Sequence, residues 1–433
     1  MNEIKKVLLI GDGRDLSLAI EFRARDLETY YYTEWDGKGP RMDASMVGFG
    51  WDRFGLHLVK DFYSLLKTIK LKEEWLVVIT NPRLGDLSSW LRENDFIVFG
   101  PGKYGNDLGN DLDKAHSFFA DYGQQLGARY VCSTITEVEA WLIKNGQEQK
   151  TYTLNMKADH DFLTPPATAA EFLKQLNNLN DSQRNAPLGY VLEDYFGGVD
   201  IKLLAFFNGS EFLYPAMLCY KTIGGGYLEW REEHPLFQHL QLLQPGLQQM
   251  DYHGVVGLFG SVVRKGAWGD DQPATSLLLA RSLDTTPGFP EAGVYFKTIQ
   301  NLGEVLTACA LGEKSEIKLL SQSAYWLTVF PKTPSLGDES IWLGKLYEHE
   351  KEHSELYGLV YGRVIMDREG AVFSLPGTVD LFHAAGLGKD YFAAVKNCLS
   401  LLDICMDELE LENRASEVIK EIRDRIIFSE SWL

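Results

Sequence analysis

The chain has 433 residues, with 42 Lys plus Arg against 61 Asp plus Glu, a formal charge of −19. So acidic a surface excludes a general binder of nucleic acid or of anionic membranes, since both need a dense basic face. With 45% apolar and 12% aromatic residues the chain is not a disordered one, and at roughly 150 residues per domain its length predicts about three domains.

Lys6–Gly11 reads as a buried strand stopped by glycine, and the apolar spacing of Leu16, Ala19, Ile20 and Phe22 predicts a helix over 14–24. A helix near 58–69, a strand at 75–80, a helix near 84–92 and a strand at 95–99 follow. Alternation of this kind implies a parallel α/β sheet, placed at about 1–105. Helices are predicted over 113–125 and 135–144 with a strand at 129–132 between them. Further on, strands are expected at 152–157, 188–195, 200–207, 211–222, 254–264 and 276–283, with helices at 167–177 and 300–310 and a polar loop at 266–275. This gives an α+β middle domain over about 106–315, with a small lid subdomain near 130–190. A C-terminal, β-rich cap over 316–433 carries strand signals at 317–330, 357–366 and 377–385, and helices near 388–407 and 412–426.

The apolar run Val7–Ile10 is too short for a signal peptide, and no stretch reaches the length of a membrane span. Five scattered cysteines without a CxxC pair read as reduced thiols. A cytoplasmic protein is expected. Two motifs are set aside. His349-Glu350-Lys351-Glu352-His353 fits HExxH, but it is charged all round and lacks the apolar face of a zinc-peptidase helix. Gly11-Asp12-Gly13 lacks the third glycine of a dinucleotide fingerprint. Arg14, at the helix start behind it, is a candidate for a substrate phosphate.

The order of segments resembles the phosphoribosylamine–glycine ligases of the ATP-grasp superfamily. The resemblance rests on KVLLIGDGRDLSLA (6–19), Phe99-Gly100-Pro101, Lys114-Ala115, TLNMKAD (153–159), YVLEDYFGGVDI (190–201), PGFPE (287–291) and Gly377–Ala385. It implies an ATP-grasp fold with an N-terminal parallel α/β domain and a C-terminal β-rich cap. It also implies a cytoplasmic monomer or homodimer that joins an amine to a carboxylate through an acyl phosphate. Glycine and phosphoribosylamine would be the substrates, ATP and Mg2+ would be required, and the step would belong to purine biosynthesis.

Residue by residue, the resemblance implies that Lys114 and Lys157 meet the ATP phosphates and that Glu193, Asp194, Tyr195 and Phe196 line the adenine. Asp200 would take the ribose hydroxyls, and Ser282 and Asp284 stand at the metal positions. Departures are concentrated at the phosphates and the metal. The loop 159–166, Asp-His-Asp-Phe-Leu-Thr-Pro-Pro, has no glycine and lacks an N–H at both prolines, so it cannot wrap a triphosphate in the usual way. A hydroxyl, Ser282, replaces the stronger metal ligand, and Phe289 replaces an aspartate. The glycine-rich NTGGMG segment of the family is reduced to Gly224-Gly225-Gly226. Three functions are therefore expected to compete: this ligase with altered site details, a binding protein of the same fold without catalysis, and a ligase for another amine or amino acid.

Overall fold

A computed structural model describes residues 4–33, 47–156, 166–185, 189–195, 197–222, 224–265, 275–288, 290–331, 356–362, 364–366, 372–374, 382–408, 411–412 and 415–432. Lys157, the 159–165 loop, Phe196, most of the 266–275 loop, Phe289 and the HExxH segment lie outside these residues.

The first sheet is parallel throughout, in the order β3-β2-β1-β4-β5. Its strands are β1 (Lys6–Gly11), β2 (Glu28–Thr33), β3 (Leu56–Leu58), β4 (Trp75–Ile79) and β5 (Ile97–Phe99). Alternation along β1 explains why both faces must be covered. Val7 and Leu9 enter the main core, whereas Leu8 and Ile10 enter a second core against Phe62, Leu66, Leu87 and Leu91 of two helices.

A separate antiparallel sheet, β6-β9-β7-β8, is built from β6 (Arg129–Cys132), β7 (Thr151–Met156), β8 (Ala167–Thr168) and β9 (Tyr190–Tyr195). The helices Ile135–Asn145 and Ala169–Leu176 cover it, and they start at sequence-encoded caps. Thr134 accepts from the N–H of Glu137 at 3.2 Å, and Thr168 with Glu171 forms a capping box. Its core, around Val138, Leu154, Phe172 and Tyr190, is distinct from the main core.

The largest sheet has nine strands, ordered β14-β13-β10-β11-β12-β15-β19-β16, with β20 (Leu411–Glu412) pairing β15. The strands are β10 (Val199–Asn208), β11 (Phe212–Thr222), β12 (Gly225–Arg231), β13 (His253–Lys265), β14 (Thr275–Asp284), β15 (Ser323–Pro331), β16 (Tyr357–Tyr361) and β19 (Phe382–Gly388). A two-stranded ribbon, β17 (Val364–Met366) with β18 (Val372–Ser374), stands beside it. The sheet crosses residue 315 without a break, because β12 pairs with β15 over Gly225–Glu229. Gly226 opposes Trp326, and a side chain at that glycine would collide with the indole.

Most predicted elements are present with shifted ends. The strand expected at 377–385 runs over Phe382–Gly388. The chain also forms β2, β12 and the helices Lys103–Asn110, Gln238–Gln249 and Glu291–Lys297, which the sequence reading did not place.

Candidate functional site

The seam between the small sheet and the large one collects most of the candidate residues. Glu193 and Asp194 sit on β9, an inner strand. Glu193 pairs with Arg129 on one side and Thr153 on the other, and the Asp194 N–H donates to Ala128 O at 2.9 Å. Their backbone edges are therefore committed to the sheet. The side chain of Glu193 is buried, with Oε1 3.3 Å from Nε2 of His116. Burial raises the Glu193 pKa, and burial with the nearby Arg129 lowers that of His116 to about 4. The Asp194 carboxylate receives the Lys150 ammonium at 2.6 Å, while its Oδ1 is buried with no hydrogen-bond partner among the described residues. A cavity of about 390 Å³ opens beside Asp194, Tyr195 and Gly197.

Asp200 lies on β10, opposite Ser261 of β13, whose hydroxyl donates to it. A residue missed in the sequence joins these groups. Arg281 places its guanidinium 5.3 Å from the ring centre of Tyr195 and 3.6 Å from Asp200 Oδ1. It can do so because β14 bulges. Phe259 pairs with Ser282 and Gly260 with Ala280, leaving Arg281 as the extra residue, its carbonyl held by His116 Nε2 at 2.8 Å.

Asp284 ends β14 opposite Gly257, two residues beyond Ser282. Its carboxylate is in a tight ion pair with Lys202 of β10. The Lys202 ammonium is also 3.9 Å from Glu291, and Lys221 is 3.2 Å from the same Glu291 oxygen. Burial opposes the charge on Lys202, but the Asp284 and Glu291 carboxylates outweigh it and hold its pKa above the ordinary lysine range. Burial likewise opposes the Glu291 charge, and Lys221 and Lys202 bring that pKa below the usual carboxylate value.

A divalent metal wants several oxygen donors of net negative charge. Here Ser282 offers a buried neutral hydroxyl, and the Asp284 carboxylate is already matched by an ammonium. These residues do not fit Mg2+. Among the described residues no group of three or more His, Cys, Asp or Glu side chains could hold a metal ion.

A second cleft, of about 80 Å³, is lined by Asp12, Arg14, Asp15 and Thr80 on one wall and by Thr286, Pro287 and Gly288 on the other. It therefore adjoins the loop that leaves Asp284. Arg14 is turned onto Asp12, with Nη2 2.7 Å from Oδ2. Asp15 is half-buried, accepting from Tyr31 at 2.8 Å and from Thr80. Burial and then the Asp12 charge raise its pKa to about 6. Lys114, two residues before His116 on the same helix, is exposed and paired with Asp107 at 2.7 Å.

No protein-family model matches the chain, and no curated protein does. Solved structures do. Phosphoribosylamine–glycine ligase from Thermotoga maritima superposes with a TM-score of 0.63 at 18% identity, over 92% of this chain and 96% of that one. N5-carboxyaminoimidazole ribonucleotide synthetase from Thermus thermophilus gives 0.56 at 16%, over 94% and 100%. L-amino acid ligase from Bacillus licheniformis gives 0.58 at 10%, over 94% and 98%. At such identities the likeness concerns architecture, and the architecture of this chain is the ATP-grasp fold.

Proposed function

We propose that the chain is an ATP-dependent carboxylate–amine ligase, with the nucleotide at the seam between β9 and the β10–β13–β14 face. The observation that carries this reading is the Tyr195–Arg281–Asp200 bridge. It sets an aromatic ring, a guanidinium and a carboxylate side by side beside a cavity. Asp200 would take the ribose hydroxyls, Tyr195 and Phe196 the base, and Lys157 the phosphates, with Lys114 reaching them only by leaving Asp107. Glu193 and Asp194 would shape the pocket from the sheet rather than read the base through their backbone.

In the reaction the γ-phosphoryl of ATP passes to a carboxylate oxygen, giving ADP and an acyl phosphate. The amine nitrogen then attacks the acyl carbon, the C–O bond to phosphate breaks with its electron pair leaving on phosphate, and the nitrogen loses a proton. Two carboxylates in the Asp12–Asp15 cleft favour an amino group there. Asp15, with its pKa near 6 and lone pairs left beyond its two hydrogen bonds, is suited to accept that proton. Phosphoribosylamine and glycine are the proposed substrates, in a cytoplasmic enzyme of purine biosynthesis. Arg14 at the cleft would meet the phosphate once freed from Asp12. No step is assigned to a protein-held metal.

The Lys202–Asp284 pair favours a second reading, nucleotide binding without catalysis. Calorimetry with ATP, followed by ADP and product detection across candidate amines and carboxylates, separates the two. The ligase should release ADP only when both substrates are present. Nucleotide binding with no ADP from any pair overturns it in favour of the second reading, and absence of nucleotide binding overturns both.

A further inference from the structure

Lys202, Asp284 and Glu291 come from three separate elements and meet at one point of the large sheet. Lys202 pairs with Phe259 across β10 and β13, and Asp284 pairs with Gly257 across β13 and β14. The lysine must therefore pass over β13 to reach a carboxylate two strands away. Gly257 leaves the path open. A Cβ there would stand 2.9 Å from Lys202 Cε and 3.1 Å from Asp284 Cβ. On the far side Glu291, at the start of its helix and 2% exposed, closes the group, and Lys221 of β11 balances the second negative charge. Two carboxylates thus face two ammonium groups. The Lys202 side chain is only 12% exposed, so this is a built arrangement and not a surface pair.

We infer that Lys202 is the resident cation of this cleft, a covalently tethered positive charge standing where a divalent ion would otherwise bind Asp284 and Glu291. The inference goes beyond the ligase reading and does not need it, since it concerns what occupies the acidic pair before any nucleotide arrives. A tethered ammonium cannot be removed by a chelator, and it presents its charge to an incoming anion at fixed distance from β13. Loss of that amine leaves Asp284 and Glu291 facing the single Lys221 ammonium, a net negative pair of oxygen donors of the kind hard cations prefer.

The test is a Mn2+ titration of the nucleotide-free protein, followed by the paramagnetic resonance of the free ion. Wild type should leave the free-ion signal unchanged. Lys202→Ser should gain stoichiometric Mn2+ binding, which a second change, Asp284→Asn, should abolish. Mn2+ binding to wild type that is lost in Asp284→Asn overturns the inference. A folded Lys202→Ser protein that still ignores Mn2+ overturns it as well. If that variant does not fold, the wild-type and Asp284→Asn titrations decide alone. Loss of ADP release in any of these proteins bears only on the ligase reading.

Discussion

Glu21, on the helix that follows the first strand, and Lys297, at the end of the helix that begins with Glu291, form a buried ion pair at 2.5 Å. Arg25 joins it, pairing with Glu21 and donating to Ile299 O at 2.8 Å. The parallel α/β unit is thereby fastened to the element that closes the candidate site. Glu21→Gln replaces the buried carboxylate that faces the Lys297 ammonium with a neutral amide, and it should cost about 3 kcal/mol in denaturant unfolding.

The same carboxyl sets a pH dependence. Burial alone would raise its pKa, but Lys297 and Arg25 bring it below 4.5. A depressed folded-state value contributes stability that is present above the unfolded value and lost as pH falls through the folded one. The gap in melting temperature between wild type and Glu21→Gln should therefore close in acid below pH 4.5 and be full at neutral pH.

Asp15 runs the opposite way. Its folded pKa of about 6 exceeds the ordinary aspartate value of 3.8. Stability linked to this group is complete below 3.8 and is lost as pH rises through about 6, by about 3 kcal/mol in all. Asp15→Asn keeps one oxygen to accept from Tyr31 and presents its NH2 as a donor to Thr80 Oγ1, and, having no carboxyl to titrate, it escapes the loss. Thermal melts from pH 4 to 7 should show the variant gaining on wild type as pH rises.

Gly257→Ala puts a methyl group against Lys202, Leu204 and Asp284 at 2.9, 3.0 and 3.1 Å. Overpacking of this kind costs about 1–3 kcal/mol, and the Lys202–Asp284 pair should be prised apart. Chemical denaturation reads the first effect, and a crystal structure of the variant reads the second.

Asp200→Ala removes one ion-pair partner of Arg281 and the proposed ribose ligand together. Nucleotide affinity should fall about tenfold, or ~1.4 kcal/mol, in a calorimetric titration. An unchanged affinity would place the nucleotide elsewhere.

What the sequence showed, it showed through local pattern. The run Val7–Ile10 followed by a glycine and an apolar-spaced helix located β1 and its helix, because strand and helix periods are written in neighbouring residues. Glu28–Thr33 carries a signal of the same local kind, three consecutive tyrosines between threonines, all strand-favouring residues. Gln238–Gln249 was hidden by Pro245 and Gly246. The glycine is there because Phe118 and Tyr122 press on it, a contact no local window contains. The site behaved likewise. Asp284 and Asp200 were marked by resemblance, but their partners Lys202 and Arg281 were not. Lys202 reads as an ordinary outward lysine of a strand, and only cross-strand register brings it to Asp284. Arg281 reads as one of two alternating positions until a bulge redirects it.

The nine-stranded sheet bears on how this protein can be taken apart. Because β12 hands its outer edge to β15, a fragment that stops near residue 315 would keep the β11 side of β12 paired but leave the outer edge of Gly225–Glu229 open. The bare strip over Gly226, where the Trp326 indole belongs, would lie open beside it. Such an edge recruits strands from other molecules. Residues 1–315 expressed alone should come down as aggregate, and supplying residues 316–433 as a separate chain should bring them back into solution.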